Sequence, residues 1–112
     1  MVATASDLDK IIAQFTSLLS KAVRVDAVIL YGSYVNGSPD EWSDIDIAVI
    51  SPDFEGLEMW RRQRIISHST VLRDARLAPI GYASSEYRNP GPHSFLREII
   101  RTGRVVYEAP AE

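Results

Sequence analysis

Two apolar periods alternate along the chain. Leu8, Ile11, Ile12, Phe15, Leu18, Leu19 and Ala22 recur at three-and-four spacing, which predicts an amphipathic helix. Ser6 stands where its N-cap would be, with Asp9 three residues on as the acidic member of a capping box. The run Val25–Tyr31 is short, apolar and β-branched and stops at Gly32, the pattern of a buried strand. Residues 32–43 are polar, with two glycines and Pro39, and predict a turn or loop. Asp44–Ile50 alternates at its start. Ile45, Ile47 and Val49 share one face of a strand that Pro52 ends, and Asp44, Asp46 and Ala48 share the other.

The second half repeats the theme. A helix is expected from Gly56 to about Leu72, with Leu57, Trp60, Arg64 and Ile65 spaced along it and Arg61, Arg62 and Arg64 as a solvated face. Leu77–Tyr82 reads as a third strand, which Pro79 assigns to a sheet edge or makes irregular. Ser84 or Ser85 is placed to cap a short turn near Glu86, and residues 90–92 form a loop. Ser94–Thr102 reads as a helix closed by Gly103, and Arg104–Glu108 as a last strand. The order α, β, β, α, β, α, β gives an α/β (α+β) fold, a small mixed sheet flanked by helices. At 112 residues it is read as one domain, 1–112. Phe15, Trp60 and Phe95 fall at expected core positions, Trp42 is expected to pack over its loop, and Tyr34 is a loop aromatic.

Composition narrows the chemistry. There is no cysteine, so thiolate metal sites and Cys nucleophiles are excluded. His68 and His93 are isolated and are not expected to bind metal. No apolar run approaches a membrane span and the N-terminus has no signal-like pattern, so no membrane role and a cytoplasmic location are expected. The net charge is −3, so nucleic acid is not an expected partner. Ten of the 12 basic residues are arginine, a bias that genome composition alone explains.

The informative stretch is the join between the first two strands. Residues two apart on a strand point the same way, about 6.5–7 Å apart, so Asp44 and Asp46 offer two carboxylates from one face. Two like charges so close raise each other's pKa unless a cation neutralises them, and strands disfavour Asp. Carboxylate oxygens suit Mg²⁺ or Mn²⁺, which one or two acids can hold together with substrate phosphates. Gly32 lets backbone approach a ligand closely, and Ser33 adds a hydroxyl donor, a seat for phosphate facing the metal.

The string Tyr31 to Val49, with Gly32-Ser33, ten residues and then Asp44-Ile45-Asp46, resembles the signature of the DNA polymerase β-like nucleotidyltransferase superfamily, in its minimal nucleotidyltransferase group. The resemblance extends more weakly to Phe54–Gly56, to Pro79–Tyr82 and to Phe95–Glu108. It implies a palm-like fold with Gly32 and Ser33 at the start of a second helix. It implies Asp44 and Asp46 as catalytic metal ligands, and Gly32, Ser33 and Ser43 as nucleotide-binding residues. The activity it implies is Mg²⁺-dependent (or Mn²⁺-dependent) transfer of a nucleoside monophosphate from ATP or another nucleoside triphosphate (NTP) to a hydroxyl. The acceptor is a partner protein or another molecule, as in the antitoxin of a toxin–antitoxin pair. The implied partner is a small helical protein (HEPN-type), or a second copy in a homodimer.

One position departs from the pattern. The group commonly carries a third carboxylate on a later strand, and here Ala78 falls at that place. Asp74 precedes the strand and Glu86 lies past its end. The alternative is therefore a catalytically impaired module that binds nucleotide or a partner. A third reading, a nucleic-acid binder on the Arg-bearing helix, lacks a continuous basic stripe.

Overall fold

The computed structural model describes residues 3–110. Helix α1 (Ala5–Leu19) leads to β1 (Ala27–Tyr31), a one-turn helix α2 (Ser33–Asn36) and β2 (Ile45–Ser51). A 3₁₀ turn over Pro52–Phe54 precedes α3 (Met59–Ser69), β3 (Leu77–Ala83), α4 (Ser84–Arg88), α5 (Phe95–Thr102) and β4 (Arg104–Glu108). The expected strands and longer helices are all present. The cap of α1 is not Ser6 but Thr4, whose hydroxyl accepts from the Asp7 amide at 3.1 Å while the Asp7 carboxylate accepts from the Thr4 amide at 3.3 Å. This reciprocal pair sets the helix start two residues earlier than the Ser6–Asp9 reading.

The sheet order is β3-β2-β1-β4, with β1 antiparallel to both β2 and β4, and β2 parallel to β3. Its two faces follow the alternation of β2. Ile45, Ile47 and Val49 join Val28 and Leu30 against Leu8, Ile12, Phe15 and Leu19 of α1 and Ile66 of α3. On the opposite face Ala48 and Ile50 join Ala27, Ile29 and Tyr82 under Leu96 and Ile99 of α5. Asp46 belongs to this second face by its position in the strand.

The arginines of α3 divide differently from expectation. Arg61 and Arg64 are exposed, but Arg62 is 8% exposed and not part of a solvated face. The reason is the sheet edge. β3 pairs on one side only, which leaves outward backbone groups at alternate residues. Arg73 donates to the Leu77 carbonyl at 2.7 Å, and Gln63 donates to the Pro79 carbonyl at 2.8 Å. Gln63 also accepts from the Gly81 amide at 3.1 Å, and Arg62 donates to the Gly81 carbonyl at 3.2 Å. Pro79, with no N–H to offer, sits at one of these outward positions, in agreement with the edge assignment. Trp60 and Phe95 are also not core residues, being 54% and 56% exposed.

Candidate active site

The β1–β2 pairing places Gly32 against Asp46, with Asp44 just ahead of β2. The register pairs Tyr31 with Asp46, so the residue before Gly32 lies directly across from the second aspartate. Gly32 turns the chain out of β1 with φ +79° and ψ −149°, a conformation open in practice only to glycine. A Cβ built there would lie 3.2 Å from Asp46 Cγ and closer still to Oδ2. The carboxylate of Asp46 therefore rests against the bare Cα of Gly32. The Gly32 carbonyl then accepts from the amides of Val35 and Asn36, starting α2. α2 is held at both sides: Asn36 Nδ2 donates to the Thr102 carbonyl at 3.1 Å, and the Tyr34 hydroxyl accepts from the Ala3 amide at 3.2 Å. Tyr34 is thus a helix anchor instead of a loop aromatic.

Charge at this corner is uncompensated. Four carboxylates among the described residues are neither fully buried nor exposed: Asp26, Asp46, Asp74 and Glu86. Asp26 accepts from Arg24 and Ser84, Asp74 from Arg76, and Glu86 from Arg62 and the Ala83 amide. Asp46 alone of the four accepts a hydrogen bond from no described residue. Burial pushes its pKa up, and the nearby charge of Asp44 adds to the shift. The Tyr31 phenol opposite is pushed up to about 12, first by burial and then by the charge of Asp46 and by Tyr82. Two adjacent acids, one partly desolvated and without a donor, fit a hard divalent cation as their missing partner. The hydroxyl of Ser33 likewise engages no described residue. That of Ser43 is committed locally, donating to Asp40 Oδ1 at 3.2 Å and accepting from the Asp40 amide at 2.9 Å.

The strand register also fixes the neighbour on the other side. Ala78 is the partner of Asp46 across the parallel β2–β3 pair, so a methyl group stands beside the acids where a longer side chain could have joined them. Asp74 is held in a two-bond fork by Arg76, and Glu86 lies beyond Ala83, which pairs with Ser51 at the far end of β2. Among the described residues no group of three His, Cys, Asp or Glu could jointly hold a metal ion. Trp42 is 84% exposed and does not pack over its loop. The pairing of Tyr31 with Phe95 beside the acids was not anticipated. Their rings meet edge to face at 5.7 Å and 82°. The position of Tyr31 next to Gly32 was the available signal.

A family described as "Polymerase beta, Nucleotidyltransferase" matches residues 13–112. The chain belongs to this nucleotidyltransferase family. Two Methanocaldococcus jannaschii relatives are each named as candidate protein adenylyltransferases. One is 32% identical over 81 residues, covering 68% of this chain and 80% of its own. The other is 28% identical over 102 residues, covering 88% and 97%. The fold matches a Sulfolobus solfataricus crystal structure named as that of a candidate nucleotidyltransferase. It superposes with a TM-score of 0.67 at 14% identity over 89% of this chain and 79% of that one. A toxin–antitoxin structure with AMP-PNP superposes with a TM-score of 0.54 at 20% identity, covering 90% and 73%. No helix among the described residues is long and apolar enough to cross a membrane.

An effect on stability follows from the raised pKa of Asp46. The folded state holds this proton more tightly than the unfolded chain. The resulting stabilisation is complete below the ordinary carboxyl range and is lost as pH rises through the folded-state pKa. Asp46→Asn removes that loss. In EDTA at neutral pH the variant should unfold at a slightly higher temperature than wild type, by no more than about 1 kcal/mol given the partial exposure. The gain should vanish in acid. Thermal scans across pH check it, and a variant less stable at pH 7 would contradict the uncompensated charge.

Proposed function

We propose that residues 1–112 act as a single nucleotidyltransferase domain that moves a nucleoside monophosphate, AMP in the first instance, onto a hydroxyl of a partner protein. The observation that carries this reading is the donorless Asp46 carboxylate seated against Gly32 beside Asp44. The names of the two archaeal relatives support the adenylyl group and the protein acceptor. The toxin–antitoxin neighbour with its nucleotide analogue supports a paired system, in which this chain would be the antitoxin. The partner would be a small helical HEPN-type protein, or a second copy of the chain, in the cytoplasm.

In this reading Asp44 and Asp46 hold Mg²⁺ or Mn²⁺. Bound there, the ion would neutralise triphosphate oxygens and favour attack at the α-phosphorus. Gly32, with no Cβ, leaves the seat in which the Asp46 carboxylate lies, and Ser33 offers its free hydroxyl as a donor. Of the α2 amides, those of Ser33 and Tyr34 have no partner within the helix, whereas those of Val35 and Asn36 donate to the Gly32 carbonyl. The rigid β1–β2 pair fixes these groups relative to one another, which is what positioning catalysis requires. The acceptor hydroxyl gives its proton to solvent, its oxygen bonds to the α-phosphorus, the bond to the bridging α–β oxygen breaks, and pyrophosphate leaves.

Ala78 beside Asp46 favours a second reading, a module that binds nucleotide or partner without transferring. One experiment separates the two. Wild type and Asp44→Asn are incubated with α-³²P-ATP, Mg²⁺ and lysate from the source cell, and ATP binding is measured alongside. Label on protein with wild type, reduced at least about 100-fold in Asp44→Asn, is the expected result. Equal labelling by both rejects the role given to Asp44. ATP binding by wild type with no labelled product supports the second reading.

A further inference from the structure

Phe95 is the first residue of α5, and helix spacing alone would bury it. It is instead 56% exposed, while its neighbours Leu96 and Ile99 fill the core beneath α5. Its position is not loose. Ser94 caps the helix by accepting from the Arg97 amide at 3.2 Å, and its own hydroxyl donates to the Gly91 carbonyl at 3.0 Å. The Tyr31 ring meets it edge to face, which restrains the ring and leaves aromatic surface open to solvent. Tyr31 in turn lies directly across from Asp46 on the same face of the sheet. Cross-strand partners stand only about 5 Å apart at Cα. The order Phe95, Tyr31, Asp46 therefore runs from an exposed aromatic ring to the acidic corner with no element between. A single exposed apolar residue is ordinary in itself. A restrained ring leading from the proposed triphosphate site is not explained by packing.

We propose that the exposed ring of Phe95, held by Tyr31, is the surface on which the base of the bound nucleotide stacks. This rests on the reading of the Gly32–Asp46 corner as the triphosphate end. With the phosphates there, the base lies one ribose away, and Tyr31 and Phe95 line one way out across the sheet. Stacking needs only a flat π-face, so it gives affinity with little choice among bases. This predicts a nucleotide preference governed by ring size, purines above pyrimidines.

Calorimetric titration with α,β-methylene-ATP and, separately, tripolyphosphate, both with Mg²⁺, tests the assignment without turnover. Phe95→Ala should weaken the nucleotide about tenfold and leave tripolyphosphate unchanged, and Phe95→Tyr should bind both as wild type does. Equal affinity of wild type and Phe95→Ala for the nucleotide overturns the proposal. So does an equal loss for both ligands, which would mark a structural role. A base-dependent loss in Trp42→Ala but not in Phe95→Ala places the base on the preceding loop and also overturns it. If wild type binds neither ligand, the triphosphate reading of the corner has failed as well, a result distinct from the others.

Discussion

Gly32→Ala should cut nucleotide transfer by at least about 100-fold while the protein still folds. Two separate effects meet at this position. The backbone stands at φ +79° and ψ −149°, where a side chain costs about 1–3 kcal/mol. The new methyl would also overlap the Asp46 carboxylate. Strain alone would lower stability and leave the chemistry in place. Overlap pushes the Asp46 carboxylate out of its seat, and a displacement of about 1 Å at a positioned group is enough for a loss of this size. Gly56 supplies the control. It has φ +72°, but a Cβ there meets nothing within 4 Å. Gly56→Ala should therefore lose about 1 kcal/mol and keep its activity. Transfer assays on both variants, run well below their melting temperatures, separate the two effects. Activity retained by Gly32→Ala would show that the corner is not where the triphosphate sits.

The sequence carried the strands, the longer helices and the acidic corner because each is a local pattern. The alternation at Ile45, Ile47 and Val49 sets which face is buried, and by the same pleat it aims Asp46 at the other. Pro79 signalled an edge because it lacks the one group an inner strand needs. What sequence could not show depended on partners distant along the chain. Nothing near Arg62 distinguishes it from Arg61 and Arg64. Only the β3 edge, 19 residues on, singles it out. Phe95 falls in a helical apolar spacing that predicts core, although its ring stands beside Tyr31, 64 residues earlier. Ser6 and Thr4 offer competing caps, and the choice turns on a reciprocal hydrogen bond. The family signature compensated for none of these, since it describes the corner and not the surfaces that support it.

Arg62→Ala should be the most destabilising change among the three arginines of α3, by about 2–4 kcal/mol. Its guanidinium donates to the Leu57 carbonyl at 2.9 Å, to the Gly81 carbonyl at 3.2 Å and to Glu86 Oε1 at 2.6 Å. Those three partners belong to the loop before α3, the sheet edge and the start of α4. Truncation strips the Gly81 carbonyl of its cover and leaves Glu86 with the Ala83 amide alone. Glu86 is partly open to water, which limits the cost of losing its partner and keeps the figure below that of a fully buried pair. For a domain of this size the melting temperature should fall by on the order of 10 °C. Arg62→Lys should recover little, because one ammonium cannot reach the loop carbonyl and the β3 side together as a planar fork does. Arg61→Ala and Arg64→Ala, both at exposed positions, should stay within about 0.5 kcal/mol of wild type. Chemical denaturation of the four variants decides the matter. If Arg62→Ala behaves like its two neighbours, α3 is not the clamp on the β3 edge. The parallel β2–β3 pairing that sets Ala78 beside Asp46 would then owe its stability to the sheet alone.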